Sequence, residues 1–274
     1  MTGTIGLMKA HISYVLNDLA DPRTKDWFLV DSILPVLTMA VIYLLFVLKL
    51  GPKLMENRKP FEIKNVLIFY NLFQVLLSAY MFYESLDAAW LRNYSWTCEP
   101  IDRSMDPSAM RIARGVYVFY LAKVSELLDT IFFVLRKKQS QVTFLHLYHH
   151  TFMLFIGWIG TKYVPGGHLI FLGMVNSFVH IVMYTYYMLA AMGPEYQKYL
   201  WWKKHITLIQ MIQFLMIFVH SSQLVWSDCG YPRGYAIIAL PNAVLFYNMF
   251  SNFYKKTYIP KDQIQNNNIT KKEI

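Results

Sequence analysis

The sequence carries seven apolar stretches, at about 32–50, 66–83, 116–135, 144–159, 169–192, 206–225 and 235–253. Each approaches the roughly 17–25 residues that an α-helix needs to cross a bilayer. Few folds are open to such a chain. In hydrocarbon every backbone N–H and C=O must find a partner inside the protein, so apolar segments of this length become helices. The expected class is all-α, a polytopic membrane protein with seven transmembrane helices. The fourth stretch is short, and a start near Ser140 would lengthen it. Composition agrees where it bears on the point. Charged residues make up 16% of the chain, against about 25% in ordinary soluble domains. A net charge of +9 on so apolar a chain points to cytosolic loops flanking a membrane rather than to nucleic acid.

Seven spans place the two termini on opposite sides. Of the 26 Lys and Arg residues, sixteen fall in one set of loops, among them Lys53, Arg58, Arg136, Lys137, Lys198 and the lysines of the tail. Nine fall in the other set, and Lys123 lies inside a span. The richer side is expected to be cytosolic, which makes the N-terminus luminal. The N-terminal apolar run is broken by His11 and Ser13, so the first span is expected to serve as the signal. The expected organisation is a luminal segment over 1–31, one seven-helix membrane domain over 32–254 and a cytosolic, disordered tail over 255–274. The tail ends in Lys271-Lys272-Glu273-Ile274, which resembles the dilysine signal that retrieves membrane proteins to the endoplasmic reticulum. Cys98 and Cys229 are the only cysteines. Both fall in luminal loops, where a disulfide persists; a bonded pair and two thiols both fit the sequence. Asn93-Tyr94-Ser95 is a candidate glycosylation site on the same side.

Inside the spans lie groups that lipid does not tolerate. His146, His149 and His150 stand at i, i+3 and i+4 and share one helix face. Lys123, Glu126, Asp129 and Thr130 have the same kind of spacing in the third span. A Lys–Glu pair on one helix neutralises itself, and a structural ion pair fits as well as a direct role. Asn176, His180, Tyr184 and Tyr187 form a stripe along the fifth span. Thr207, Gln210 and Gln213 form one on the sixth, and Asn71, Gln74 and Ser78 one on the second. A lone amide in a span is helix–helix glue, but repeated stripes suggest a polar-lined cavity. His11, His168 and His205 read as interfacial, and His220 as lying near the luminal end of its span.

Three chemistries suit the histidine cluster. A metal site is one, since HxxHH occurs in membrane di-iron oxygenases. Those enzymes need several such clusters to fill two coordination spheres, and here the other five histidines are singletons. A single metal held by His146, His149, His150 and a carboxylate stays open. Nucleophilic catalysis is the second. The chain has no GxSxG elbow, but a neutral imidazole attacks activated acyl groups, and the acyl-imidazole survives where water is excluded. The third is a polar core in a seven-helix receptor or transporter.

Four boxes in order resemble one known family along essentially the whole chain. They are Lys123-Val-Ser-Glu126-Leu-Leu-Asp129-Thr130, His146-Leu-Tyr-His149-His150, the run from Asn176 through His180 and Met183 to Tyr187, and Thr207-Leu-Ile-Gln210-Met-Ile-Gln213. They match the KxxExxDT, HxxHH, NxxxHxxMYxYY and TxxQxxQ boxes of the animal elongases of very-long-chain fatty acids. The stretch from Leu50 to Pro60 is similar to the saturated and monounsaturated branch, its insect members especially. The resemblance implies a fold of seven helices, six of them around a closed acyl tunnel. It implies a 3-ketoacyl-CoA synthase of the endoplasmic reticulum that joins a long-chain acyl-CoA to malonyl-CoA with loss of CO2 and CoA. The acyl group would ride on His149, with His146 and His150 orienting it or polarising the thioester, and His180 would handle the malonyl-derived group. Asn176, Gln210 and Gln213 would donate to oxyanions. Lys123, Glu126 and Asp129 would hold the cluster, and Tyr184 and Tyr187 would line the tunnel. Lys203, Lys204, Lys255 and Lys256 would meet the CoA phosphates. No metal or organic cofactor is implied. The implied partners, besides membrane lipid, are the 3-ketoacyl-CoA reductase, 3-hydroxyacyl-CoA dehydratase and enoyl-CoA reductase of the same cycle. A homo-oligomer is compatible with the sequence, because lipid-facing and partner-facing surfaces share one composition.

Overall fold

The computed structural model of the chain describes residues 6–259 apart from 8, 9 and 12, and the dilysine-like Lys271 and Lys272 lie outside the described residues. Among the described residues there is no strand. Seven long helices follow one another: α1 (Leu34–Met55), α2 (Lys64–Ala88), α3 (Pro107–Leu135), α4 (Phe144–Tyr163), α5 (Leu169–Met192), α6 (Lys203–Ser222) and α7 (Gly234–Tyr258). Five of them, α1, α2, α5, α6 and α7, are long and apolar enough to cross a membrane. The protein is an all-helical, multi-pass membrane protein. α3 carries Lys123, Glu126 and Asp129 within its apolar stretch and α4 carries three histidines, which lowers the apolarity of both.

Helix ends depart from the hydropathy reading for local reasons. α3 begins at Pro107, nine residues before its apolar stretch. Proline suits a first helical position, where its missing N–H has no intrahelical acceptor. The added turns are polar, and Arg111 there binds Glu84 at 2.7 Å and Asp87 at 2.6 Å near the end of α2. α1 continues past Leu50 through Gly51-Pro52 because residues Phe46–Leu50 open into a π turn. The wider turn relieves the clash of a proline ring with the carbonyl four residues earlier. α4 starts at Phe144, not near Ser140, with Thr143 as its cap: the Thr143 hydroxyl accepts from the His146 N–H. α7 runs to Tyr258, so the first four residues of the expected tail are helical.

The chain divides into two compact units. The first holds α1, α3, α4, the end of α2, the start of α5 and residues 228–231. Its core is Val36, Ala40, Tyr43 and Val47 of α1 against Tyr120, Leu127 and Val134 of α3 and Leu154 and Trp158 of α4. In lipid, helices associate through close packing rather than through a hydrophobic drive. Gly157 provides that closeness: a Cβ there would stand 3.1 Å from the Tyr120 ring and 3.2 Å from its Cα. The outward side of α1, including Leu37, Val41, Leu45 and Leu48, is exposed and apolar, as a lipid-facing surface must be.

Residues before α1 belong to this unit's fold. Asp21, Thr24 and Val30 are fully buried. Asp21 donates its N–H to the Lys162 carbonyl at 2.7 Å, and the Thr24 hydroxyl donates to the Thr161 carbonyl. The buried ammonium of Lys162 donates to the carbonyls of Val30 and Asp31. The Asp21 carboxylate takes both Arg23 and Arg103 at 2.9 Å. Nearby, Cys98 and Cys229 form a disulfide, and the 164–168 turn packs beneath the loop that carries Cys98. Gly167 sits at φ +61° and donates its N–H to the Tyr94 hydroxyl at 3.0 Å. Burial pushes the Tyr94 phenol up to about 12, so it stays protonated at any physiological pH. A Cβ on Gly167 would come 2.8 Å from the Glu99 carbonyl oxygen and 2.9 Å from that of Pro100. Gly167→Val therefore meets both a backbone clash and a left-handed conformation that β-branched residues avoid. We expect it to cost about 1–3 kcal/mol and to lower the melting temperature in detergent by several degrees; parental melting would show that the turn is not held against residues 99–100.

The second unit holds α6, α7, the start of α2 and the remainder of α5. α6 and α7 form an antiparallel hairpin. Phe214 stacks on Phe246 at 5.3 Å, and Ser221 hydrogen-bonds Tyr235. This register puts the start of α6 beside the end of α7.

Candidate active site

The first two turns of α4 carry His146, His149 and His150. The His146 and His150 ring centroids lie 4.3 Å apart, and His149 meets His150 edge to face at 5.6 Å. His150 is buried, while His146 and His149 are half-buried. Phe133 of α3 lies 5.3 Å from the His146 ring. On another side of α4, Phe144, Tyr148 and Phe152 stack in series. One face of this helix is thus imidazole and another is aromatic.

α3 supplies the ionic support. The Lys123 ammonium bonds the Glu126 carboxylate at 2.7 Å, and both side chains are almost wholly buried. The ammonium also lies 4.6 Å from the Phe119 ring centre. Asp129, one turn further along, is half-buried. Thr130 follows, fully buried, and its hydroxyl is 2.8 Å from His146 Nε2. The first and second boxes therefore meet through a hydrogen bond between neighbouring helices. From α1, Tyr43 places its phenol oxygen 2.7 Å from the Thr130 hydroxyl. Hydropathy gave no reason to single out Tyr43. Its only signal is being the one polar side chain in the run 39–48.

The other expected site residues form a second group, in the second unit. Asn176 and His180 are buried on α5. His180 packs on Tyr184 at 5.5 Å, which also meets Tyr70 of α2 at 6.2 Å. Tyr187 touches Tyr184 at 5.9 Å but is 40% exposed. Gln210 of α6 donates to the Met183 sulfur at 3.6 Å. Gln213 is buried, and its amide oxygen has no donor among the described residues. Lys203 and Lys204 in the first turn of α6 and Lys255 and Lys256 in the last turn of α7 are exposed. The hairpin register gathers them at one end.

One expectation about a single residue is corrected. His168 is not interfacial: it is 2% exposed, its backbone N–H donates to the Glu99 carbonyl, and its ring lies 5.7 Å from Tyr231. The turn at Gly166 and Gly167 folds it inward. His220 lies in the last turn of α6 and is buried. Among the described residues no group of three or more His, Cys, Asp and Glu side chains is arranged to share a metal ion.

The arrangement offers three adjacent imidazoles on an otherwise apolar helix, one of them hydrogen-bonded to a threonine hydroxyl of the neighbouring helix. Residues 28–266 match the family described as ELO, GNS1/SUR4. The chain is 51% identical over 249 residues to very long chain fatty acid elongase 7 of Drosophila melanogaster, covering 90% of this chain and 76% of the relative. It is 48% identical over 241 residues to very long chain fatty acid elongase 7 of Rattus norvegicus, covering 87% and 86%. It is 45% identical over 241 residues to very long chain fatty acid elongase 1 of Homo sapiens, with the same coverage. A family match over most of the chain, relatives this similar over at least 76% of their length and four boxes in order together assign the protein to the ELO family of very long chain fatty acid elongases.

Proposed function

We propose that this protein is the condensing enzyme of fatty-acid elongation, a 3-ketoacyl-CoA synthase that works in two half-reactions through His149. The observation that carries the reading is the imidazole cluster on α4, with rings 4.3 and 5.6 Å apart on an otherwise apolar helix. In the first half-reaction an unprotonated ring nitrogen of His149 attacks the thioester carbon of a long-chain acyl-CoA. The C–S bond breaks, the imidazole's own proton leaves with the thiolate as CoA–SH, and an acyl-imidazole remains. In the second, malonyl-CoA loses CO2 and its carbanion attacks the acyl carbon. The C–N bond breaks, and the departing imidazole takes up one proton from solution. The balance is acyl-CoA, malonyl-CoA and a proton in, with 3-ketoacyl-CoA, CoA and CO2 out.

His146 and His150 orient His149 in this scheme. His180 handles the malonyl-derived group, and Asn176, Gln210 and Gln213 donate to the oxyanions. The four lysines at one end of the α6–α7 hairpin suit phosphate groups of CoA. All seven helices span the endoplasmic reticulum membrane, with the N-terminus luminal and the C-terminus cytosolic. The surplus of Lys and Arg on one set of loops supports this orientation, and so does the disulfide between two loops on the opposite side. Asn93 is exposed on that side and is the candidate for glycosylation. The 3-keto product passes to a reductase, a dehydratase and an enoyl reductase.

The test is to trap the intermediate. Purified protein given long-chain acyl-CoA without malonyl-CoA should gain one acyl mass on the peptide that contains His149. Malonyl-CoA should then discharge it as 3-ketoacyl-CoA. Product formation with the acyl group on no side chain, or on a different one, would overturn the scheme.

A further inference from the structure

Tyr43 sits midway along α1, in the run Met39–Leu48, where every other side chain is apolar. It is 4% exposed. A buried phenol on such a helix needs a partner, and it has one 2.7 Å away in the Thr130 hydroxyl of α3. The same Thr130 oxygen is 2.8 Å from Nε2 of His146 on α4. One atom from each of three helices therefore lines up in a hydroxyl–hydroxyl–imidazole chain. It ends on the ring that lies 4.3 Å from His150, which in turn meets His149.

The direction of the chain follows from the groups in it. Each hydroxyl carries a single hydrogen. A phenol donates better and accepts worse than an aliphatic hydroxyl, because its lone pair is shared with the ring. The favoured order is thus Tyr43 donating to Thr130 and Thr130 donating to His146 Nε2. An Nε2 that accepts carries no proton, so the proton of the neutral ring is on Nδ1. Without the phenol, the Thr130 hydroxyl can turn round and accept, and His146 is released to its other tautomer.

We propose that Tyr43 is a positioning residue of the condensing site: through Thr130 it fixes His146 as the Nδ1-protonated tautomer, and so fixes which face of that imidazole His149 and His150 meet. The proposal rests on reading the α4 histidines as the condensing site. In this role α1 contributes to catalysis from outside the four boxes.

Tyr43→Phe removes the hydroxyl and keeps the ring that fills the core. It should lower kcat about tenfold, the worth of one buried hydrogen bond at the reacting centre, and leave KM for both substrates within about twofold. Thr130→Val should lose as much, Thr130→Ser should retain the parental rate, and Tyr43→Phe/Thr130→Val should be no worse than Thr130→Val alone. In 15N spectra of protein labelled at histidine, with His146 assigned from a His146→Gln sample, Nε2 should be unprotonated in the parent and protonated in Tyr43→Phe. A parental kcat for Tyr43→Phe, multiplying losses in the double variant, or an unchanged tautomer would each overturn the relay. Should Tyr43→Phe not fold, the same spectrum of Thr130→Val decides the tautomer. The two readings fail separately. Condensation that survives His149→Ala removes the active-site assignment, whereas an inactive His149→Ala beside a fully active Tyr43→Phe removes only the relay.

Discussion

Replacing His149 with alanine is expected to lower condensation of long-chain acyl-CoA with labelled malonyl-CoA by at least about a thousandfold, the scale on which enzymes lose rate with their nucleophile. The acyl adduct should vanish with it. His149 is half-buried, and alanine is a good helix former, so the melting temperature in detergent should move by only a few degrees. That separation of rate from stability is what makes the variant informative. His146→Ala and His150→Ala remove supporting imidazoles and leave the nucleophile. They should cost roughly ten- to a hundredfold, as supporting groups behind a reactive centre commonly do, and should still show a slow adduct. If His149→Ala condenses at the parental rate, the acyl group does not travel on that imidazole.

The second large effect concerns stability. Lys123 and Glu126 are each almost wholly buried and meet at 2.7 Å. Removing one partner strands the other charge away from water, which costs about 3–5 kcal/mol, whereas removing both costs much less. Glu126→Leu and Lys123→Met should therefore each lower the melting temperature by roughly 10 °C, taking a few degrees per kcal/mol for a chain of this size. The double variant Lys123→Met/Glu126→Leu should recover a large part of that loss. Recovery of stability need not bring recovery of activity, because Glu126 lies one turn before Thr130 and sets the surroundings of the imidazoles. Additive losses in the double variant would mean that the two side chains are held by other contacts rather than by each other.

The two predictions probe different layers of one arrangement. The proposed nucleophile is a local feature of α4, whose cap at Thr143 and whose i, i+3, i+4 spacing hold three rings on one face. The ion pair belongs to α3, whose next turn carries Thr130, hydrogen-bonded to His146 of α4. Gly157, with Tyr120 against it, lets the two helices come close enough for that bond to form.

Much of this was legible in the sequence because it is local. Hydropathy over windows of a helix's length located all seven helices, since length and apolarity are properties of contiguous residues. Helical spacing put the three histidines on one face and Lys123 beside Glu126. The four boxes in order identified the family. The helix ends were read less well: the polar first turns of α3 and the π turn before Pro52 leave no mark on an apolarity profile. Only the tertiary structure revealed the pairing of residues far apart in the chain. Tyr43 reaches Thr130 across 87 positions, Arg103 reaches Asp21 across 82, and the Lys162 ammonium closes on residues 30 and 31. The physical reason is the solvent. In a bilayer the face a helix shows to lipid and the face it shows to another helix are equally apolar, so sequence can say that a helix forms but not which neighbour it docks against. The partner of each buried hydroxyl, and with it the orientation of the imidazoles, was decided by that docking.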